Sequence, residues 1–243
     1  ETRDYFGQTL AVGDFNNDGY DDAAIGVSSE DLGPNNEQEY AGAVHILYGS
    51  EQGLWGARNS VLSPGLFSPA DRLSKKLFGR ALAAGDINGD GYDDLAVGMP
   101  GAADYSAAEA KMVDGAGVVA VFFGGSGGLT DTQPVRGDLV MQSRPYVPAI
   151  AEEGDRFGSE IVVDDFDSDG YADLAIGIDS EDVGPTSNAG AVVVVYGREG
   201  QLSAVGTRST LLLDDHPETG DGFGRSLAAG DFDGNGYPDL AVG

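Results

Sequence analysis

Cysteine is absent from the 243 residues, which removes disulfides, thiolate metal ligands and a cysteine nucleophile from consideration. Positive charge is scarce: 13 Lys and Arg stand against 41 Asp and Glu, for a formal net charge of −28. So acidic a surface argues against nucleic acid or an anionic membrane as partner and for a soluble chain in a cation-rich setting. The two histidines are no better placed for chemistry. His45 lies in a strand-like run and His216 in a loop beside Asp214, Asp215 and Glu218, so they read as a packed and a solvated residue more readily than as general bases. The longest apolar stretch, residues 191–196, is far too short to cross a bilayer. No nucleophile elbow, phosphate loop or zinc motif occurs. No signal peptide is evident and the chain opens at Glu1, so we expect a mature or excised piece of a longer protein.

What the sequence does have is an acidic loop, D-x-[DN]-x-[DN]-G-Y-x-D, spelled four times: at 14–22, 86–94, 165–173 and 231–239, with alanine or proline admitted before the last aspartate. Side-chain oxygens recur at loop positions 1, 3, 5 and 9, the pattern by which a short, sharply turned backbone holds a hard cation. Glycine at position 6 (Gly19, Gly91, Gly170, Gly236) permits the turn. An EF-hand would need a bidentate glutamate at position 12 and flanking helices. Position 12 is Ile25, Val97, Ile176 and Val242, apolar and strand-like, so that reading fails.

The loops belong to a long internal repeat. Phe-Gly precedes each one, at Phe6-Gly7, Phe78-Gly79, Phe157-Gly158 and Phe223-Gly224, spaced by 72, 79 and 66 residues. A short small-sided stretch follows, then the loop, then a second run such as Asp94-Leu95-Ala96-Val97-Gly98. Third strand signals occupy 41–49, 116–124 and 189–197, and fourth ones 60–62, 138–141 and 210–213. Four short strands per unit, joined by tight turns without helical periodicity, make an all-β, four-stranded antiparallel β-propeller blade. The small residues of the first strand suit the crowded axis. The expected division is a single partial propeller over 1–243, with blade 1 at 5–76, blade 2 at 77–155, blade 3 at 156–221 and the first two strands of blade 4 at 222–243. About three and a half blades would leave open strand edges, so the remaining blades of the same propeller are expected outside this sequence.

Phe-Gly, the acidic loop, Asp-Leu-x-Val-Gly and Gly-Ala-Val-x-Val-x-Tyr-Gly, in that order, resemble the FG-GAP repeats of the integrin alpha-subunit propeller. The resemblance implies a seven-bladed ring, with calcium between the first and second strands of a blade on the lower rim and ligands on the opposite face. It implies about four Ca2+, one per loop. The implied ligands are Asp14, Asn16, Asp18 and Asp22; Asp86, Asn88, Asp90 and Asp94; Asp165, Asp167, Asp169 and Asp173; and Asp231, Asp233, Asn235 and Asp239. Tyr20, Tyr92, Tyr171 and Tyr237 would add backbone carbonyls, their rings packing rather than coordinating. The "GAP" element survives only as Gly98-Met99-Pro100, and the lack of cysteine makes the chain look more like microbial FG-GAP proteins than a true integrin subunit.

Calcium is expected to be structural, because clustered carboxylates resist ionising together without a cation. Magnesium, which keeps its waters, suits such a cage less well. The third loop, with four aspartates, should bind tightest. Arg136-Gly137-Asp138 is an RGD tripeptide, but it aligns with Arg58-Asn59-Ser60 and Arg208-Ser209-Thr210 at the start of an ordinary fourth strand. Residues 29–34 and 180–185 share a Ser-Glu-Asp-x-Gly-Pro pattern that the resemblance places on the upper rim, where the middle unit has an insertion at 101–115. The reading is a non-enzymatic, extracellular, secreted or cell-surface scaffold for binding or adhesion. It would engage a protein or glycan on the face opposite the calcium loops, without nucleic acid or membrane insertion. The alternative is an accessory propeller of a secreted hydrolase, as in glycosylphosphatidylinositol-specific phospholipase D; a purely structural module in a large surface protein is a third.

Overall fold

The computed structural model describes residues 4–33, 35–54, 59–67, 75–132, 134–200, 202 and 206–243. Pro34 of the first rim loop and Arg58 ahead of the first fourth strand therefore lie outside the described residues. Among those described there is no α-helix, and one 3-10 turn at Pro64–Leu66.

Three four-stranded antiparallel sheets follow one another along the chain. The first contains β1 (Thr9–Gly13), β2 (Asp22–Val27), β3 (Ala43–Leu47) and β4 (Asn59–Leu62) in spatial as in sequence order. The second begins with β5 (Leu82–Gly85) and β6 (Asp94–Met99). It then inserts a small hairpin, β7 (Asp104–Ser106) and β8 (Lys111–Val113), before β9 (Val118–Phe122) and β10 (Gly137–Val140). The third contains β11 (Ile161–Asp164), β12 (Asp173–Ile178), β13 (Ala191–Val195) and β14 (Ser209–Leu212). A fourth has two strands, β15 (Leu227–Gly230) and β16 (Asp239–Val242). The registers repeat: Gly13, Gly85, Asp164 and Gly230 each sit opposite the last aspartate of their loop, at Asp22, Asp94, Asp173 and Asp239. The sequence did not resolve the β7–β8 hairpin, whose strands of three residues are too short to show a period.

The first strands line up around an axis, β1 beside β5, β5 beside β11 and β11 beside β15. Small residues allow that approach. A Cβ added to Gly13 would lie 3.1 Å from the Cβ of Ala84, and one on Gly85 2.6 Å from Val163 Cγ1. The fold is thus a partial β-propeller with its core at the seams between blades. Phe15, Val44, Phe78 and Phe122 pack at the first seam, and Ile87, Phe157, Ile176 and Val193 at the second.

Phe-Gly is the stitch of these seams. Phe78, Phe157 and Phe223 each pair in parallel with a glycine just before the third strand of the preceding blade, their N–H groups donating to Ala41, Ala116 and Ala189 at 3.1, 2.8 and 2.9 Å. The glycine then turns at positive φ (85° at Gly79, 82° at Gly158), which a side chain would strain. Its N–H returns to its own second strand, Gly79 to Gly98 at 3.1 Å and Gly158 to Gly177 at 3.0 Å. Phe78 and Phe157 are fully buried, whereas Phe6, which precedes the first blade of this sequence, is 64 % exposed.

Candidate metal centre

Each acidic loop joins the first two strands of its blade, and one hydrogen-bond pattern recurs in all four. The position-1 aspartate accepts the N–H groups of positions 5 and 6 on its two oxygens. In the third loop, Asp165 accepts Asp169 at 3.0 Å and Gly170 at 2.9 Å; Asp14, Asp86 and Asp231 do the same in theirs. The position-5 side chain accepts the N–H of position 7, as Asp90 does from Tyr92 at 3.2 Å and Asn235 from Tyr237 at 2.8 Å. These bonds require the tight turn at the position-6 glycine, where φ is 87° in Gly19 and 92° in Gly170.

The position-9 aspartate has a second duty. Asp22, Asp94 and Asp173 are fully buried, and each spans two segments. Asp94 accepts Ile87 and Asn88 within the loop at 3.0 and 3.2 Å, and Gly124, in the turn after β9, at 2.9 Å. Asp22 bonds Phe15 and Gly49, and Asp173 bonds Phe166 and Gly197. Buried N–H groups need such acceptors, so this residue latches the loop to the third strand's exit.

The donor set fits a cation. Asp165, Asp167 and Asp173 offer oxygens within 4.8 Å of one another, as do Asp231, Asp233 and Asp239. These are positions 1, 3 and 9; Asp169 is not in the third-loop group. In the first loop the Oδ1 of Asn16, at position 3, is buried without a hydrogen-bond partner, as an oxygen aimed at a metal would be. Burial pushes Asp22 up to about 6, Asp94 to about 7 and Asp173 to about 6. Neighbouring loop carboxylates push the same way, against the backbone N–H groups that favour the charged forms. A bound divalent cation would relieve that repulsion. Of the position-7 rings, that of Tyr171 packs over Gly89 in the preceding loop, while those of Tyr20 and Tyr237 are exposed.

Sequence reasoning missed position 2. Phe15 and Ile87 are fully buried plugs whose carbonyls accept Gly125 and Arg198 of the following blade at 3.0 and 3.1 Å. The carbonyls of Asp14 and Asp86 likewise accept Asp93 and Ala172, at 3.2 and 3.0 Å. The first and second loops are therefore docked onto the blades that follow them. The signal was present in Phe15, Ile87, Phe166 and Phe232, apolar in every copy. At position 8 of the fourth loop stands Pro238, which has no N–H to make the equivalent bond.

The other candidates sort by placement. Asp138 of the RGD tripeptide is buried on β10 and accepts the N–H of Leu139, while Arg136 pairs with Asp90 at 3.3 Å, so the tripeptide does not present an adhesive tip. His45 packs edge-on to Phe6 at 5.3 Å, and His216 is exposed. Between blades 2 and 3, at the end of β12 away from the acidic loop, Gln142 Nε2 donates to Asp155 at 3.1 Å and Glu181 at 3.0 Å. Burial, then the charges of Asp155, Glu152 and Asp182, pushes Glu181 up to about 8.

A family model for the FG-GAP repeat matches residues 6–47, 78–122, 157–195 and 223–243. The chain is 32 % identical over 242 residues to integrin alpha-5 of Xenopus laevis, covering 98 % of this chain and 20 % of that protein. It is 35 % identical over 199 residues to phosphatidylinositol-glycan-specific phospholipase D of Bos taurus, covering 82 % of the chain and 22 % of that protein. Among solved structures, the rhamnogalacturonan lyase YesW superposes with a TM-score of 0.50 at 16 % identity, over 97 % of this chain and 39 % of that one, a likeness of fold alone. The chain thus spans about a fifth of the length of these curated relatives. With the repeat matched in every unit and the stitch, loop and latch recurring in register, the chain belongs to the FG-GAP repeat family and is an integrin-alpha-like partial β-propeller.

Proposed function

We propose that this chain is a calcium-stabilised segment of a larger propeller that serves outside the cell as a binding or adhesion scaffold. The observation that carries the reading is the convergence of positions 1, 3 and 9 within 4.8 Å in the third and fourth loops, on the same turn that in the first two loops is docked into the neighbouring blade. Asp14, Asn16 and Asp22 in the first loop, Asp86, Asn88 and Asp94 in the second, and the two carboxylate triads would hold one Ca2+ each. Asp18, Asp90, Asp169 and Asn235, with the carbonyls of Tyr20, Tyr92, Tyr171 and Tyr237, would complete the oxygen cage. The ion would supply charge neutralisation and no chemistry: its work is to hold each loop against the next blade. Further blades would cover the apolar ends, where Phe6, Leu10 and Val12 on one side and Phe232 and Tyr237 on the other are more than half exposed. The upper rim would then be free for a protein or glycan partner, since loops on a rigid scaffold carry recognition.

Calcium titration by calorimetry, paired with melting in EDTA, tests the reading. We expect about one ion per loop and a lower melting temperature in chelator, because each site at 100 times its Kd contributes about 2.7 kcal/mol. No binding and no shift would reject it. A second reading is favoured by the phospholipase D match over 82 % of the chain: the segment as the accessory propeller of a secreted hydrolase. The two part on what the intact protein carries beside these repeats, a catalytic domain or an anchor.

A further inference from the structure

Blades 2 and 3 each place an arginine immediately ahead of the fourth strand, on the side of the cation loop. Arg136 Nη2 lies 3.3 Å from Oδ2 of Asp90, and Arg208 Nη2 lies 2.5 Å from Oδ2 of Asp167. The two contacts reach different loop positions, 5 and 3, from the same place in the blade. Each arginine sits in a fitted slot. Arg136 crosses Gly125 so closely that a Cβ there would meet Nη1. The guanidinium of Arg208 stacks over the Tyr196 ring at 4.8 Å, and the Tyr196 hydroxyl is in turn tied to Thr210 Oγ1 at 3.2 Å. A chain with only 13 basic residues has thus aimed two of them at the groups proposed to take the cation.

We propose that Arg136 and Arg208 are resident counter-cations that set the calcium affinity of their loops. The inference rests on the calcium reading above and adds a specificity-determining residue to it. Each guanidinium occupies one carboxylate oxygen that an incoming ion would otherwise share, and its charge repels the ion at close range. Without the ion, the same arginine keeps the loop's like charges from driving it open. Asp167 is the carboxylate that makes the third loop an all-aspartate site, and it is the one Arg208 holds. That loop therefore binds no more tightly than the others, contrary to a ranking by aspartate count. The fourth loop has no equivalent arginine within this chain and serves as an internal reference.

The test is calcium titration of the full chain and its R208Q, R136Q and double variants by calorimetry at low and high KCl. It is read alongside amide hydrogen exchange of residues 165–173 in EDTA. We expect R208Q to tighten one site about three- to tenfold at low salt, with the gain shrinking in high salt, and R136Q to do the same for another. We also expect faster exchange of loop 3 in chelator for R208Q alone. Unchanged or weaker calcium binding in both variants would overturn the proposal and leave the arginines as surface ion pairs. Should the wild-type chain bind no calcium at all, the failure would lie with the calcium reading itself, a result separable because it needs no variant.

Discussion

Gly98→Ala should loosen the second seam with no change of charge, hydrogen-bonding groups or φ requirement. Gly98 is the last glycine of Asp-Leu-Ala-Val-Gly, on β6. A Cβ built there falls 2.2 Å from the carbonyl oxygen of Gly158 and 3.2 Å from the Cβ of Ala81. Carbon and oxygen do not approach within about 3 Å without cost, so blade 3's entry would have to retreat by most of an ångström. The oxygen is backbone, so no rotamer can absorb the clash. Retreat would stretch the bonds from Phe157 to Ala116 (2.8 Å) and from Gly158 to Gly177 (3.0 Å). Overpacking typically costs about 1–3 kcal/mol, and a weakened hydrogen bond adds up to about 1 kcal/mol, which gives roughly 3 kcal/mol in all. For a chain of this size that corresponds to a melting temperature lower by about 6–12 °C, measured by calorimetry in saturating calcium. Gly127→Ala is the control: its Cβ would meet nothing within 4 Å, and its melting temperature should match wild type. If Gly98→Ala melted within 2 °C of wild type, the close approach of the two glycine backbones would not be what sets the blade spacing.

Asp94→Ala should destabilise the chain even in EDTA, because the N–H groups of Asn88 and Gly124 lose their acceptor at about 1–3 kcal/mol each. Urea unfolding in chelator checks this, and an unchanged midpoint would mean that the residue acts only through the ion. Stability should also respond to pH at the opposite end of blade 3. Folded Glu181, pushed up to about 8 by burial and by Asp155, Glu152 and Asp182, keeps a proton that the unfolded chain releases, so stability falls as pH rises from its ordinary value toward 8 and is level below. Glu181→Gln retains an acceptor for Gln142 without the charge. It should raise the melting temperature by roughly 5–10 °C at pH 8 relative to wild type and leave it unchanged at pH 4; a uniform shift at both would refute the assignment.

The architecture was legible because every unit carries its own punctuation. Strand-forming runs are bounded by glycines whose spacing repeats, so β2, β6 and β12 fall where Asp-x-Ala-x-Gly places them, and β9 and β13 lie within the predicted runs. The acidic loops were legible by the same logic, since oxygen-bearing residues at fixed offsets have few other uses. What stayed hidden depends on partners distant in the chain. Nothing local to Asp94 announces that its carboxylate will cap Gly124, 30 residues on. Phe15 looks like any core phenylalanine until the following blade is in place to receive it. Arg208 read as the start of a strand, and only the folding of the third and fourth strands back beside the loop brings it to Asp167, 41 residues earlier. The β7–β8 hairpin was missed for want of length.

The docking of the first two acidic turns onto the blades that follow has a mechanical consequence. The carbonyls of Asp14 and Phe15, and of Asp86 and Ile87, are held by the blade that follows, so a pull that parts two blades loads the turn together with the seam. An ion in that turn would behave as a rivet loaded in shear. Its departure would leave that turn to the hydrogen bonds alone, and external calcium would bear on the force at which the blades part.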